Sequence, residues 1–395
     1  MIRGLCLTHS FAPSALPESY VLAKSLGNIP GIKFDIVCSE TAFRFGRDDT
    51  LGSYVNERFG QIIRVPLARL TKVMPHSFNP FAQLPDLFVY SNPGILKVAE
   101  SLDLGKYSIL LTSSMWHSSH LIGLKLNKKY PHLKWISRFS DPWVNNPFLK
   151  INPLCLPYNR KLEFEVFSHS DKVVFTSAQC RDSVRERLPK SLHSKITYLP
   201  HCFDKHLYPA ANTAKESQSQ YLLRHLGHFY GHRSPWPLYE AVESLVSEAP
   251  KLLDGVKIEL IGSLGRHTAL PTRYPEASKI IRIVPPVKYL DSLRLMNEAD
   301  CLLVIDAPDQ NSVFLPSKLI DYLGTGRALL AITPRGASRD IVERVGGEIA
   351  DPSDINQVRA SLRKVLTDRP RVILNPSNEF SINSVCNQWQ ELLIN

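Results

Sequence analysis

Residues 301–332 of this 395-residue chain set the strongest limit on its fold, because two uniformly apolar runs, Cys-Leu-Leu-Val-Ile305 and Ala328-Leu-Leu-Ala-Ile332, bracket one short polar connection. Such runs belong to strands covered on both faces, as in a parallel sheet, rather than to the alternating pattern of a half-exposed strand. Parallel neighbours need a crossover, and the connection leaves room for a loop and one helix. Pro316 keeps Leu315 extended, Ser317 can cap the turn, and Lys318-Leu-Ile-Asp-Tyr-Leu323 reads as a short helix ended by Gly324 or Gly326. The helix therefore starts at the carboxyl tip of the first strand.

A helix N-terminus at that place turns backbone N–H groups toward the crevice in which anions bind to doubly wound sheets. Lys318 lies in the first turn and Asp321 three residues on, so both are expected on one face. The lysine suits a phosphate, and the carboxylate suits the two hydroxyls of a ribose.

The rest of the chain repeats the rhythm. Strands are expected at Ile2–Thr8, Lys33–Cys38, Gln61–Pro66, Tyr107–Thr112, Lys134–Ser137, Lys172–Thr176 and Lys195–Leu199, and again from Tyr221 onward, with helices between them. Alternation of this kind predicts an α/β protein with parallel sheets, and the length calls for two domains. The polar segment 205–219 reads as the linker. Met74–Asn92 carries three prolines and no regular period; it reads as an ordered insertion whose aromatic residues Phe78, Phe81, Phe88 and Tyr90 should be buried.

Seven cysteines are scattered without a Cys-x-x-Cys pair, which predicts reduced packing residues rather than disulfides or zinc ligands. No apolar run is long enough to span a bilayer and no signal-peptide pattern opens the chain, so a cytoplasmic location is expected. The net charge of +10 lies wholly in the first half: residues 1–200 hold 25 basic and 15 acidic side chains, and the remainder holds 22 of each. That asymmetry predicts that one lobe faces something anionic, such as the inner face of a membrane or a phosphate-bearing substrate. No basic stripe interleaved with aromatics is present, which argues against nucleic acid.

Three further stretches carry chemistry. Gly227-His-Phe-Tyr-Gly-His-Arg-Ser-Pro235 follows a strand and precedes a helix, so its glycines and Arg233 can approach a phosphate. His117 and His120 lie just past the strand that ends near Thr112, where an imidazole can contact a sugar or an acceptor hydroxyl. Arg138 and Asp141-Pro-Trp143 follow the strand at Lys134, and Pro142 stops a helix from starting on top of Asp141.

Leu315-Pro-Ser-Lys-Leu-Ile-Asp-Tyr-Leu-Gly-Thr-Gly-Arg327, Asp300-Cys-Leu-Leu-Val-Ile305, Ser137-Arg-Phe-Ser-Asp-Pro-Trp143 and the loop 227–235 together resemble segments of bacterial GT-B-fold retaining glycosyltransferases of family 4. The resemblance implies two doubly wound, Rossmann-like parallel-sheet lobes around an interlobe cleft. Residues 1–204 would form the acceptor-side lobe, 205–379 the nucleotide-sugar lobe, and 380–395 a helix returning to the first lobe. It implies transfer of a sugar from a nucleotide-diphosphate donor to a hydroxyl of a glycan or lipid-linked acceptor, in cell-surface polysaccharide assembly. No metal and no separate cofactor are expected. Arg233 and Lys318 would neutralise the departing diphosphate, with Asp141 and His120 completing the catalytic set. Gly231, Phe314, Leu315, Ser317 and Asp321 would hold the donor nucleotide. Two departures stand out. Ala15-Leu16-Pro17 replaces the family's Gly-Gly pair, and proline offers an anion no N–H; Val313 replaces a carboxylate eight residues before Asp321. A non-catalytic GT-B protein that binds a nucleotide or a glycan, or a sugar-nucleotide 2-epimerase, is the alternative reading.

Overall fold

The computed structural model describes residues 1–73, 80–209 and 220–395; Phe78 and positions 210–219 of the linker lie outside the described residues. The chain divides into two compact units, one made of residues 1–202 and 382–395, the other of 203–381.

In the first unit seven strands form one sheet: β1 (Ile2–Thr8), β2 (Ile32–Ser39), β3 (Ile62–Val65), β4 (Ile109–Ser113), β5 (Lys134–Phe139), β6 (Lys172–Phe175) and β7 (Ile196–Tyr198). Their spatial order is β3-β2-β1-β4-β5-β6-β7, and every pairing is parallel. All five residues of β4 are buried, as expected of a strand covered by helices on both faces. The order reverses between β1 and β4. A helix over Pro17–Leu26 follows β1 with Pro17 at its first position, where a missing N–H costs the helix nothing. The closing helix, Ile382–Ile394, lies in this unit: Cys386 Sγ donates to the Ser25 carbonyl at 3.2 Å, and Lys134 Nζ donates to the Leu392 carbonyl at 3.0 Å.

The insertion contains two short 3-10 turns, Pro80–Gln83 and Leu87–Ser91, ahead of a helix at Asn92–Ser101. Phe88 is buried as expected, but Phe81 is 64% exposed, so that expectation is corrected.

The second unit has six parallel strands, β8 (Tyr221–Leu226), β9 (Val256–Ile261), β10 (Ile281–Val284), β11 (Cys301–Ile305), β12 (Ala328–Ile332) and β13 (Glu348–Ala350), in the order β10-β9-β8-β11-β12-β13. Here the order reverses between β8 and β11. Tyr221, Leu223, Ile258, Leu303 and Leu330 point into a core closed by Leu238, Val242 and Leu362 from the flanking helices. The helix predicted between β11 and β12 spans Ser317–Thr325 and ends on Gly326, which adopts the left-handed conformation (φ 68°) that glycine takes freely. Gly324 serves a different purpose, since a Cβ there would meet the Tyr208 hydroxyl at 2.5 Å. All seven cysteines are buried and none forms a disulfide. Among the described residues no helix is long and apolar enough to cross a membrane.

Candidate active site

The reversal point between β8 and β11 is where an open parallel sheet leaves a crevice outside its strand ends, and the second unit gathers its charged groups there. Asp306 is the first residue beyond β11. One carboxylate oxygen accepts from Arg233 Nη2 at 2.9 Å and the other from the Thr333 hydroxyl at 3.0 Å, so three separate loops meet on one buried acid. Lys318 Nζ lies 3.3 Å from His225 Nε2. The other ring nitrogen, Nδ1, is 3.0 Å from the Leu303 carbonyl, which can only accept; Nδ1 therefore carries the proton and Nε2 accepts from the ammonium. Phe229 stacks on that imidazole at 4.7 Å.

Arg233 and Asp306 both act on the Lys318 charge, so the three groups share one neighbourhood. Burial, then the Arg233 guanidinium, push the Lys318 ammonium well below the usual lysine range, and Asp306 opposes the shift. Burial and the Lys318 charge hold His225 well below the usual imidazole range, so the ring stays neutral. Arg233 Nε is buried with no hydrogen-bond partner among the described residues.

Two glycines shape the loop walls. At Gly262 (φ 143°) a Cβ would stand 2.2 Å from the Gly227 carbonyl oxygen, and at Gly227 (φ 142°) one would stand 2.7 Å from Lys318 Nζ. Only backbone without side chains fits this approach. Gly231 adopts φ 61° in the same loop, with open space about it.

The helix Ser317–Thr325 corrects one detail: its N-cap is Pro316, and no side chain caps it, so Ser317 is the first helical residue rather than the cap. The opening amides therefore lack a side-chain acceptor, as an anion site requires. Leu315 is buried and Phe314 half-buried beside that end. The Asp321 carboxylate is buried and accepts from the Tyr289 hydroxyl at 3.2 Å on each oxygen, while Tyr322, four residues from Lys318, reaches back to accept from the Leu226 N–H at 2.9 Å.

In the first unit, groups at the carboxyl ends of β4 and β5 converge on Glu18, which follows β1. Arg138 Nη1 donates to it at 2.5 Å, Ser113 at 2.6 Å and Ser140 at 2.7 Å, and both Glu18 and Arg138 are buried. Asp141 sits beside this network, half-buried, and no group among the described residues donates to its carboxylate. Burial, then the Glu18 charge, push it up to about 6 against the opposing pull of Arg138.

His120 is wholly enclosed, with Nδ1 2.8 Å from Thr112 Oγ1 and the ring stacked 4.0 Å from Phe139. Where it stands the ring packs, and its Nε2 is buried without a hydrogen-bond partner among the described residues. His117 stacks on Trp143 at 5.0 Å.

Asp306, His225 and Glu18 were not singled out in the sequence. Asp306 could have been found as the residue at the tip of an apolar strand, and His225 as a lone imidazole inside one. Among the described residues no group of three or more His, Cys, Asp or Glu side chains could hold a metal ion.

No family model matches this chain, and no curated protein does. Solved structures do. The Anabaena protein Alr3699/HepE, crystallised with UDP and glucose, superimposes with a TM-score of 0.69 over 100% of this chain and 99% of its own, at 13% identity. This chain has the GT-B fold. An α,α-trehalose-phosphate synthase (UDP-forming) from Burkholderia xenovorans gives 0.68 at 10% identity over the whole of both chains. The lipopolysaccharide outer core galactosyltransferase WaaB gives 0.62 at 10% identity, covering 99% of this chain and 98% of its own. GT-B architecture accounts for the two parallel-sheet units.

Proposed function

We propose that this protein is a glycosyltransferase that takes a sugar from a nucleotide-diphosphate donor and passes it to a hydroxyl of a glycan or lipid-linked acceptor. The observation that carries the reading is the meeting of Arg233 and Lys318 at the reversal point of the second sheet, beside an uncapped helix end. Charge grows on the leaving diphosphate as the glycosidic bond breaks, and fixed cations with oriented N–H dipoles in a buried site stabilise that charge more than the ground state. The reading is supported by the UDP complex of the HepE structure and by the UDP-forming synthase among the similar folds, which make UDP the first nucleotide to test.

We assign the donor to the second unit and the acceptor to the first. Gly231, Phe314, Leu315 and Ser317 line the nucleotide side, and Asp321 presents the carboxylate that a ribose diol would share with Tyr289. Asp141 is the carboxylate assigned to the acceptor hydroxyl, as base or positioning group. Retention of configuration, metal-independent transfer and a part in cell-surface polysaccharide assembly follow from the family resemblance and belong to the same proposal.

Incubation with radiolabelled UDP-, GDP-, ADP- and dTDP-sugars tests it. Release of the nucleotide diphosphate with transfer or slow hydrolysis supports the reading. An isomerised donor would identify an epimerase, and binding without turnover a nucleotide-binding protein; either sinks the transferase.

A further inference from the structure

The first sheet has a reversal point of its own, between β1 and β4, and an open parallel sheet leaves a crevice outside its strand ends at such a point. The loop that leaves β4 there reads Ser114-Met-Trp-His117. Trp116 is half-buried, and the buried Phe88 of the insertion backs one face of its indole at 3.7 Å, with the planes 25° apart. Phe45, also half-buried, lies 5.3 Å from Trp116 and 6.3 Å from Phe88. Those separations set Phe45 at roughly a right angle to Phe88 as seen from Trp116, beside the indole rather than over its second face. His9, the one other ring in contact among the described residues, stands edge-on at 6.4 Å on the Phe88 side.

This platform is fixed in place by one carboxylate. Asp86 accepts from the Phe88 N–H at 2.9 Å, the Ser118 N–H at 2.8 Å and the Ser118 hydroxyl at 2.7 Å, which clamps the backing ring to the loop that carries the indole. Polar atoms without partners border it. Ser114 Oγ and His117 Nδ1 are buried with no hydrogen-bond partner among the described residues, on side chains 1% and 8% exposed. The same loop adjoins the one that bears Asp141: Ser140 Oγ lies 2.9 Å from the Ser114 carbonyl oxygen, and His117 stacks on Trp143. Through the first of these links the backbones of Trp116 and Asp141 stand no more than about 16 Å apart.

An aromatic face bordered by unsatisfied polar atoms suits a ligand of matching character. The negative π-face attracts the polarised C–H groups on the flat side of a pyranose, and the hydroxyls of that ring supply the hydrogen bonds that Ser114 Oγ and His117 Nδ1 lack. An acyl chain would leave both atoms buried and unpaired.

We infer that Trp116 and Phe45 form a stacking subsite for a pyranose ring of the acceptor, with Ser114 and His117 binding its hydroxyls, so that the group receiving the sugar is itself a sugar. The ring's role as acceptor rests on the transferase reading; its binding does not.

Fluorine NMR of the full chain carrying 5-fluorotryptophan tests this with no donor present. Five tryptophans give five signals, and Trp116→Phe and Trp236→Phe identify two of them. Methyl pyranosides of glucose, galactose, mannose and N-acetylglucosamine are titrated to about 50 mM. At least one should move the Trp116 signal saturably and leave that of Trp236, in the second unit, in place. Glycerol, a polyol with no ring face, should move neither. Saturation-transfer titration should show the affinity for that glycoside falling about tenfold in Trp116→Ala and in Phe45→Ala, with most of the loss recovered in Trp116→Phe. A Trp116 signal that no glycoside moves overturns the subsite, and this measurement needs no destabilising variant. Unchanged affinity in folded Trp116→Ala overturns it as well, and a signal moved by uridine but by no glycoside would make the platform a nucleobase site. Glycoside binding by a chain that turns over no nucleotide sugar would keep the stacking site and overturn its role in accepting a sugar.

Discussion

His225 holds Lys318 from below: its Nε2 accepts from the ammonium at 3.3 Å while its Nδ1 is fixed on the Leu303 carbonyl at 3.0 Å. The strand that carries the imidazole thus orients a cation belonging to a helix nearly a hundred residues later. His225→Ala removes that acceptor without touching the charge, and UDP affinity should fall about tenfold, or about 1.4 kcal/mol. Calorimetric titration checks it; unchanged affinity would mean that the lysine needs no support from β8.

Lys318 itself should govern binding outright. Lys318→Ala is expected to abolish the thermal shift given by UDP or any other nucleotide diphosphate. The sign of the pH dependence follows from burial and Arg233, which lower the ammonium's pKa. The charged form attracts the diphosphate, so raising the pH depletes it and weakens binding before the ordinary lysine range is reached. Lys318→Arg should bind with a flat profile over the same range, because guanidinium keeps its proton. Equally flat profiles for both proteins would contradict the assignment.

Asp141 predicts the acid side of the rate profile. Its carboxyl titrates near 6 and acts as acceptor only when ionised, so turnover should rise through that pH and then level. Asp141→Asn should remove the limb and slow transfer about a hundredfold or more. The folding sign is opposite. Because the folded carboxyl keeps its proton to higher pH than the unfolded chain, the group's contribution to stability is lost as pH rises from 3.8 through about 6. At neutral pH the Asn variant should therefore melt no lower than the parent, a result that separates lost chemistry from lost structure.

Glu18 is expected to matter for folding instead. Glu18→Ala strands the buried Arg138 guanidinium, a change that costs about 3–5 kcal/mol in comparable pairs and should lower the melting temperature of the first unit by roughly 10 °C. Replacing both partners with apolar residues, Glu18→Leu and Arg138→Met, should recover part of the loss. A single variant as stable as the parent would show that Ser113 and Ser140 satisfy the network without Glu18.

The sheet architecture was legible because parallel strands buried on both faces leave unbroken apolar runs, such as Cys301–Ile305 and Ala328–Ile332. Arg233 stood out in a glycine-containing loop after a strand, and Lys318 stood out in the first turn of a helix just after Pro316. What local pattern could not convey was direction. Asp321 is spaced to share a face with Lys318, yet its carboxylate turns to Tyr289, a partner brought in by a distant helix. His120 reads as a strand-tip imidazole, but Thr112 and Phe139 draw it under the surface. Ser317 has the chemistry of a cap, and Pro316 occupies the capping position ahead of it. Asp306 escaped notice because its importance lies in three loops closing on it, a fact of topology rather than of spacing.

The concealment of all seven thiols gives the chain a built-in stopwatch. A maleimide or aromatic disulfide reagent can reach them only when the structure opens, so the labelling rate under native conditions reads the opening equilibrium of the unit that carries each thiol. Cys301, in the strand that leads to Asp306, times the second unit, and Cys6 times the first. A single cysteine placed at an exposed position would react far ahead of them, which allows a dye to be attached without first removing any native thiol.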